Sequence, residues 1–167
     1  TLRGHPEVRI PARGVSGIIH GFNPSGGGEE EFNRSFEQAL RFANQDLDNA
    51  VDAAQEAVES RQRVKDAIEA TLAPWVVLDR FEPSAAEVAA GARPDLKYLV
   101  FPDETSGTWR VMQVPVKPGS HEGRWPLPLH WRGLRGKDLD EASGVPIPGC
   151  VFCHASGFIA GHATKEG

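Results

Sequence analysis

The sequence lacks several features that would assign it to a common class. No apolar run approaches the roughly 18 to 20 residues that cross a membrane, and the first residues, TLRGHPEVRIPARG, lack the apolar stretch of a secretory signal. Only two cysteines are present, so a disulfide framework is excluded and we expect reduced thiols. We therefore expect a cytoplasmic protein, or a mitochondrial or nuclear one if the source is eukaryotic.

An initiating methionine is also missing, and the last residues, HATKEG, resemble the beginning of a helix. We therefore expect a fragment of a longer protein. The remaining composition, 40% hydrophobic and 25% charged, is that of a globular domain.

Acidic residues outnumber basic ones in the first half of the chain but not in the second. The net charge is −5, and the acidic excess lies in residues 1–90. Between residues 105 and 137 the only acidic side chain is Glu122, and three tryptophans, Trp109, Trp125 and Trp131, lie there. The basic side chains of the same segment are Arg110, Lys117, Arg124, Arg132, Arg135 and Lys137. This part of the chain could bind a polyanion, whereas the acidic half should not.

The segment from Glu29 to Ala73 contains neither glycine nor proline, and its apolar residues recur every three or four positions. That period predicts an amphipathic helix, and Glu29, Glu30 and Glu31 suit its first turn. Because 40 helical residues would be long for one domain, we expect a kink or a helical hairpin. The apolar face is expected to lie on a core, with a partner-binding coiled coil as the alternative.

The rest of the chain divides around this helix. Residues 1–28 are rich in proline and glycine and predict a loop or linker. Residues 74–167 predict an α/β domain with strands near residues 75–78, 98–101, 109–116 and 150–154, a short helix at 137–143 and a helix beginning at 164. The predicted fold class is α+β: a long N-terminal helix or helical hairpin on a mixed, mostly antiparallel sheet, in which Trp109 belongs to the core.

The stretch GCVFCHASGFIAGH, residues 149–162, contains both cysteines and permits several interpretations. Cys150 to His154 has the spacing of a c-type haem site, of a redox pair, or of half a zinc site that would include His162. A regular strand would point Cys150 and Cys153 to opposite faces, which favours two buried structural thiols. Haem, zinc and redox roles remain alternatives.

The small residues that follow permit a second interpretation. A glycine-rich turn that leads into a helix lets backbone N–H groups approach an anion. The residues concerned are Ser156, Gly157, Ala160, Gly161 and His162, followed by Thr164 and Lys165. Close packing of a strand against a helix would explain the glycines equally well.

From Arg124 onward the chain resembles the C-terminal signature of the melanocyte-proliferating-gene family, also labelled metal-dependent protein hydrolases and related to the DHH phosphoesterases. The resemblance is carried by LPLHWRGLR, by GCVFCHASGFIAG and by TKEG, with TWRVMQVPV and HGFNPS upstream. It covers roughly residues 21–167. The sequence departs from the family pattern at Cys153, where valine is usual, and at Ala160, where glycine is usual.

The resemblance implies the C-terminal part of a 3′–5′ RNA exonuclease, with a fold like the DHH-associated domain. The catalytic H-N-x-x-x-H-x-D-E and D-H-H motifs are absent from this sequence. We therefore expect no catalytic residue, metal ligand or cofactor in this chain, and a divalent metal, manganese or magnesium, in a missing N-terminal catalytic domain. The implied partners are that domain and a single-stranded RNA or nucleotide, without a membrane.

The resemblance also suggests which residues bind the substrate. Related enzymes use a glycine-rich turn that ends in histidine, to which Gly161 and His162 correspond. Arginine forks match phosphate oxygens, and a tryptophan can stack on a base. The expected substrate-binding residues are His162, Gly161, Gly157, Ser156, His154, Arg132, Arg135, Arg110, Arg124 and Lys165, with Trp131, or alternatively Trp125, as the stacking residue. A competing hypothesis is a structural module that forms a homodimer or docks through the long helix.

Overall fold

The computed structural model describes residues 14–167, which fall into two compact units that divide between Gln55 and Glu56. In the first unit, α1 (Val15–His20) precedes the long helix α2 (Glu29–Glu69). The expectation of a loop throughout residues 1–28 is therefore wrong for the part described. The segment VSGIIH contains a single glycine and no proline, so nothing prevents a short helix, and the Gly21 N–H closes it on the Ile18 carbonyl.

Helix α2 is unbroken over its 41 residues, so the expected helical hairpin does not occur. The absence of glycine and proline explains this continuity. In the second unit the helix buries Ser60, Val64 and Ile68, which recur at intervals of four. Earlier along the helix the apolar side chains stay open to solvent within the first unit, as with Phe36 at 68% exposure. The expected core-facing stripe is thus confirmed only at the C-terminal end of the helix.

The second unit contains a five-stranded mixed sheet, which confirms the α+β class. Its elements after α2 are β1 (Trp75–Val77), α3 (Ala85–Ala92), β2 (Tyr98–Asp103), β3 (Thr108–Gln113), a 3₁₀ turn (Leu129–Trp131), α4 (Gly136–Ser143), β4 (Cys150–Cys153) and β5 (Ile159–His162). The strand order is β1-β2-β3-β5-β4, with β1 parallel to β2 and all other pairs antiparallel. None of the helices in residues 14–167 has both the length and the apolar character of a membrane span.

The two faces of the sheet carry separate apolar clusters, because successive side chains in a strand point to opposite sides. One cluster includes Leu99 and Phe101 and packs with the buried end of α2 and with α3. The other is formed by Leu127, Leu139, Cys153 and Ala160, with Cys150 and Trp131 packed against it. Helix α4 and the loop before it cover that second face.

A β-bulge in β4 overturns the expectation that the two cysteines diverge. Cys150 pairs with His162 and Phe152 with Gly161, so Val151 is an extra residue with no counterpart on β5. The bulge returns Cys150 to the side of the sheet that Cys153 occupies, and both pack on the second cluster. Both are free thiols. Burial raises the pKa of each, which disfavours the reactive thiolate of a redox pair.

The segment after β5 does not form the predicted helix. Residues 163–165 make bends, and the Thr164 N–H donates to the His162 ring instead of beginning a helix. Strands β2 and β3, by contrast, are joined by a hairpin: the Gly107 N–H donates to the Asp103 carbonyl at 2.8 Å, with Gly107 at φ 66°.

Candidate functional site

A cavity of about 230 Å³ lies where β3, β4 and β5 meet. It includes five of the residues that the sequence predicts as substrate-binding or stacking: Arg110, Trp131, Gly161, His162 and Lys165. Trp109 and Cys150 also line it. The strand register produces this grouping, because His162 lies opposite Trp109 on one side and Cys150 on the other.

His162 is held rigidly at the wall of this cavity. Its side chain is buried, and only 9% of the residue is exposed. Nδ1 accepts the Thr164 N–H at 3.0 Å, and Nε2 lies 2.9 Å from the Ile147 carbonyl oxygen, to which it donates in the matching tautomer. The imidazole therefore ties the segment after β5 to the loop before β4.

Arg110 lies on the opposite face of the sheet from His162, because it is the next residue along β3 from Trp109. Its guanidinium bonds to the Asp103 carboxylate and to the Thr108 hydroxyl, and it lies 5.2 Å from the centre of the Phe152 ring. A Cβ on Gly161 would come within 2.7 Å of Arg110 Nη1. Because residue 161 is glycine, the Arg110 guanidinium has room to lie across β5.

A second guanidinium flanks the same ring. Arg135 lies 5.8 Å from the centre of Phe152, and the backbones of the two residues are bridged. Its guanidinium has no hydrogen-bond or ion-pair partner among residues 14–167, so its donors are free for a ligand. Arg110 and Arg135 together make a cationic rim around one aromatic ring.

Lys165 forms a further pair of cation and aromatic ring. Its Nζ lies 5.5 Å from the centre of the Trp109 indole. Trp109 is only partly buried and lines the cavity, so its assignment to the core is wrong. It is the second residue of β3 (Thr108–Gln113).

Arg124 and Arg132 are engaged by the protein itself. Arg124 donates to the carbonyls of Ala90, Arg93 and Leu96, closing the C-terminal end of α3. Arg132 donates through Nε and Nη2 to the Leu127 carbonyl, at 3.0 and 2.9 Å. Its guanidinium packs over Gly157, which has φ 73° and no room for a Cβ. These three predicted residues hold loops in place and lie outside the cavity.

His154 and Ser156 belong to the turn between β4 and β5, at the opposite end of these strands from His162. His154 Nδ1 lies 2.9 Å from the Ser156 hydroxyl, and its ring contacts Phe158 edge to face. The structure therefore does not bring this pair together with the cavity residues.

The two candidate stacking tryptophans differ in surroundings. Trp131 packs against the second cluster, and its Nε1 is buried without a partner among the described residues. Trp125 is 55% exposed and lies under Lys97, with Nζ 4.1 Å from its ring centre. Trp109, which lines the cavity, and Phe152, which lies on the opposite face of the sheet, each have cations beside them. The sequence prediction includes neither ring. The alternation of side chains on paired strands would have pointed to both.

Within residues 14–167, one group of side chains could hold a metal ion: Asp140, Cys150 and His162, whose ligand atoms lie within 4.8 Å of one another. Asp140 Oδ1 accepts the N–H groups of Gly149 and Cys150 at 3.0 and 2.8 Å, and these bonds lower the pKa of Asp140. A thiol in the set is a poor match for manganese or magnesium, which prefer oxygen donors. The manganese expected for the family therefore does not fit these residues.

The comparisons agree with the sequence motifs. The family model MYG1_exonuc, described as an uncharacterised protein family (UPF0160), matches residues 3–167. The chain is 54% identical to the mouse MYG1 exonuclease over 72 residues, which are 43% of this chain and 18% of that protein. It is 33% identical to a MYG1 protein of Saccharomyces cerevisiae over 175 residues, 96% of this chain and 51% of that protein.

A MYG1 protein of Dictyostelium discoideum is 34% identical over 155 residues, 83% of this chain and 45% of that protein. The chain thus spans about half, or less, of the length of these relatives. No solved structure matches it. Because the family model covers nearly all of the sequence, the chain belongs to the MYG1 exonuclease family.

Proposed function

We propose that this chain is the substrate-binding part of a metal-dependent exonuclease and that it binds single-stranded RNA or a nucleotide through phosphate. The observation that carries the proposal is a set of three cations beside two aromatic rings at one end of the sheet. Arg110 and Arg135 lie beside Phe152 on one face, and Lys165 lies beside Trp109 on the other. This grouping occurs in a family whose named members include exonucleases.

The three cations are suited to a phosphate backbone in different ways. Arg135 offers a planar fork that no hydrogen-bond acceptor in the described part of the chain engages, and such a fork can donate two parallel hydrogen bonds to phosphate oxygens. Lys165 supplies a point charge on a flexible stem. Arg110 is partly neutralised by Asp103, so its contribution is to position Phe152 and to complete the rim. A base could stack on Phe152 or Trp109, since stacking on aromatic rings tolerates every base.

Catalysis is proposed to need residues that this chain does not contain. Family relatives are at least about twice as long as the matched segment. We place the divalent metal, manganese or magnesium, in the part of those relatives that this chain does not span. His162 and Gly161 would then form the wall against which the substrate is held.

The test is fluorescence anisotropy with end-labelled single-stranded RNA, with manganese present and cleavage recorded on the same samples. We expect binding without cleavage, and an affinity that falls with salt. Arg135→Gln and Lys165→Gln should each weaken binding about tenfold, as expected for one charged hydrogen bond. Lys137→Gln is the matched control, because Lys137 is an exposed lysine on α4 that pairs with Glu141 at 3.6 Å.

Two outcomes would contradict the proposal. Absence of RNA binding, or equal loss in the Lys137 control, would show that the cationic rim is not a phosphate site. Cleavage that a chelator abolishes would show that the catalytic metal site lies in this chain.

A second candidate function is docking through α2. The observation in its favour is the apolar series that remains exposed in the first unit, including Phe32 at 51%, Phe36 at 68% and Leu47 at 61%. Sedimentation of the chain at several concentrations would reveal a dimer, and a monomer at all concentrations would leave only docking to another protein.

A further inference from the structure

Three segments that are distant in sequence bring a carboxylate, a thiol and an imidazole to one place. Asp140 comes from α4, Cys150 from the start of β4 and His162 from the end of β5. Their ligand atoms lie within 4.8 Å of one another. Two features build this arrangement: the register that sets Cys150 opposite His162, and the bulge at Val151 that keeps Cys150 on that face.

Hydrogen bonds to the backbone hold the Asp140 carboxylate and the His162 ring in place, as the groups around metal ligands do in metal sites. Two backbone N–H groups bind Asp140 Oδ1 and leave the other carboxylate oxygen for a ligand. Each ring nitrogen of His162 has a backbone partner, from Thr164 or Ile147. A metal at one ring nitrogen would replace that partner, while the other nitrogen would keep its bond and hold the ring.

The ligand atoms of Asp140, Cys150 and His162 indicate which metal would bind. One sulfur, one nitrogen and one oxygen donor suit zinc, which accepts all three and is commonly four-coordinate. Cys150 and His162 both line the cavity of about 230 Å³, so a water or another ligand could enter the fourth position. The charges also balance, because a carboxylate and a thiolate neutralise a divalent cation in a partly buried place.

We propose that Asp140, Cys150 and His162 form a zinc site with one coordination position open to the cavity. Binding converts the Cys150 thiol to a zinc-bound thiolate and releases its proton to solvent, with no change of oxidation state. The site differs from the zinc alternative considered for the sequence, because Cys153 and His154 are not members. It also departs from the expectation that this chain holds no metal, and it does not depend on the proposed RNA binding.

Cobalt substitution tests the site directly. The reduced, metal-free chain is titrated with Co²⁺ and followed by absorption spectroscopy, and zinc is then added. We expect the intense near-ultraviolet band of a sulfur–cobalt bond together with visible bands of tetrahedral strength, in a one-to-one complex that zinc displaces.

The variants identify the ligands. Cys150→Ala should abolish the sulfur–cobalt band, whereas the matched control Cys153→Ala, which removes the other thiol of the same apolar cluster, should keep it. Asp140→Asn should retain the band but weaken zinc binding at least tenfold, and this milder change guards against a variant that fails to fold. Circular dichroism checks the fold of each.

Three results would overturn the proposal: no sulfur–cobalt band in the unaltered chain, a band that survives in Cys150→Ala, or a band that is lost in Cys153→Ala when that variant is folded. Because no RNA is used, failure here leaves the proposed function intact. Loss of RNA binding would likewise leave the zinc site intact.

Discussion

Glu82 offers a quantitative test of how the second unit is held together. Its carboxylate is only 4% exposed and receives Arg63 Nε at 2.6 Å and Arg80 Nε at 2.9 Å. Arg63 lies on α2, whereas Glu82 precedes α3, so the pair joins the helix to the α3 region of the sheet domain. Replacement of Glu82 by glutamine keeps the shape and removes the charge.

The magnitude follows from the pKa of Glu82, which the Arg63 hydrogen bond lowers from 4.5 to about 2. One pKa unit corresponds to about 1.4 kcal/mol. Since Arg63 remains 37% exposed and is screened by water, we expect Glu82→Gln to lower the free energy of unfolding by roughly 2 to 3 kcal/mol at pH 7.

The sign of the pH dependence is fixed by the direction of the shift. A carboxyl group whose pKa is lower in the folded state contributes stability above its unfolded pKa, and that contribution is lost as protons bind. The stabilisation from Glu82 should therefore be complete above about pH 4.5 to 5 and should disappear as the pH falls towards 2. In Glu82→Gln, this part of the loss of stability at low pH should be absent.

The assay is urea unfolding followed by tryptophan fluorescence between pH 3 and pH 7. All four tryptophans, at positions 75, 109, 125 and 131, lie in the second unit, so the signal reports that unit. Glu87→Gln is the control: its pair with Arg61, at 3.0 Å, is about half exposed and should contribute less than about 1 kcal/mol. The reasoning is refuted if both variants lose the same free energy of unfolding at pH 7. It is also refuted if that free energy falls with pH in Glu82→Gln as steeply as in the unaltered chain.

Three further predictions concern Arg124, Gly161 and the two cysteines. Arg124→Ala should lower the free energy of unfolding by about 2 kcal/mol in the same urea assay, because three backbone carbonyls lose a charged donor; an unchanged midpoint would contradict this. Gly161→Ala should weaken RNA binding about tenfold in the anisotropy assay, since the new methyl group displaces Arg110; unchanged affinity would show that the guanidinium position is unimportant. Cys150 and Cys153 should react with iodoacetamide more slowly at pH 8 than a free cysteine does, because burial raises both pKa values; faster modification of either would contradict the burial argument.

The sequence predicted the elements better than their arrangement. The long helical segment and the strand at Cys150 follow from local signals, the absence of glycine and proline and a short apolar run, although the helical hairpin expected within the segment does not occur. The burial of α2 could not be read in this way, because its apolar period continues past the part that packs on the sheet. Periodicity gives the apolar side of a helix but not the extent of the core beneath it.

The candidate site was predicted in part for a similar reason. Gly161, His162 and Lys165 are neighbours in sequence, so a motif could find them. Arg124 is as basic as Arg135, yet it bonds three carbonyls, whereas Arg135 has no hydrogen-bond or ion-pair partner within residues 14–167. Only the tertiary structure separates an arginine that closes a helix end from one that remains available.

The extra residue Val151 changes how the sequence around it should be counted. Measured along the ladder with β5, Cys150 and Cys153 are two positions apart rather than three, so C-x-x-C in the printed sequence corresponds to C-x-C in space. A chain without Val151 would keep both sulfurs on one side of the sheet, although its linear motif would no longer match a haem or redox pattern. Searches that depend on the printed spacing would thus separate two sequences that place the same atoms on the same face.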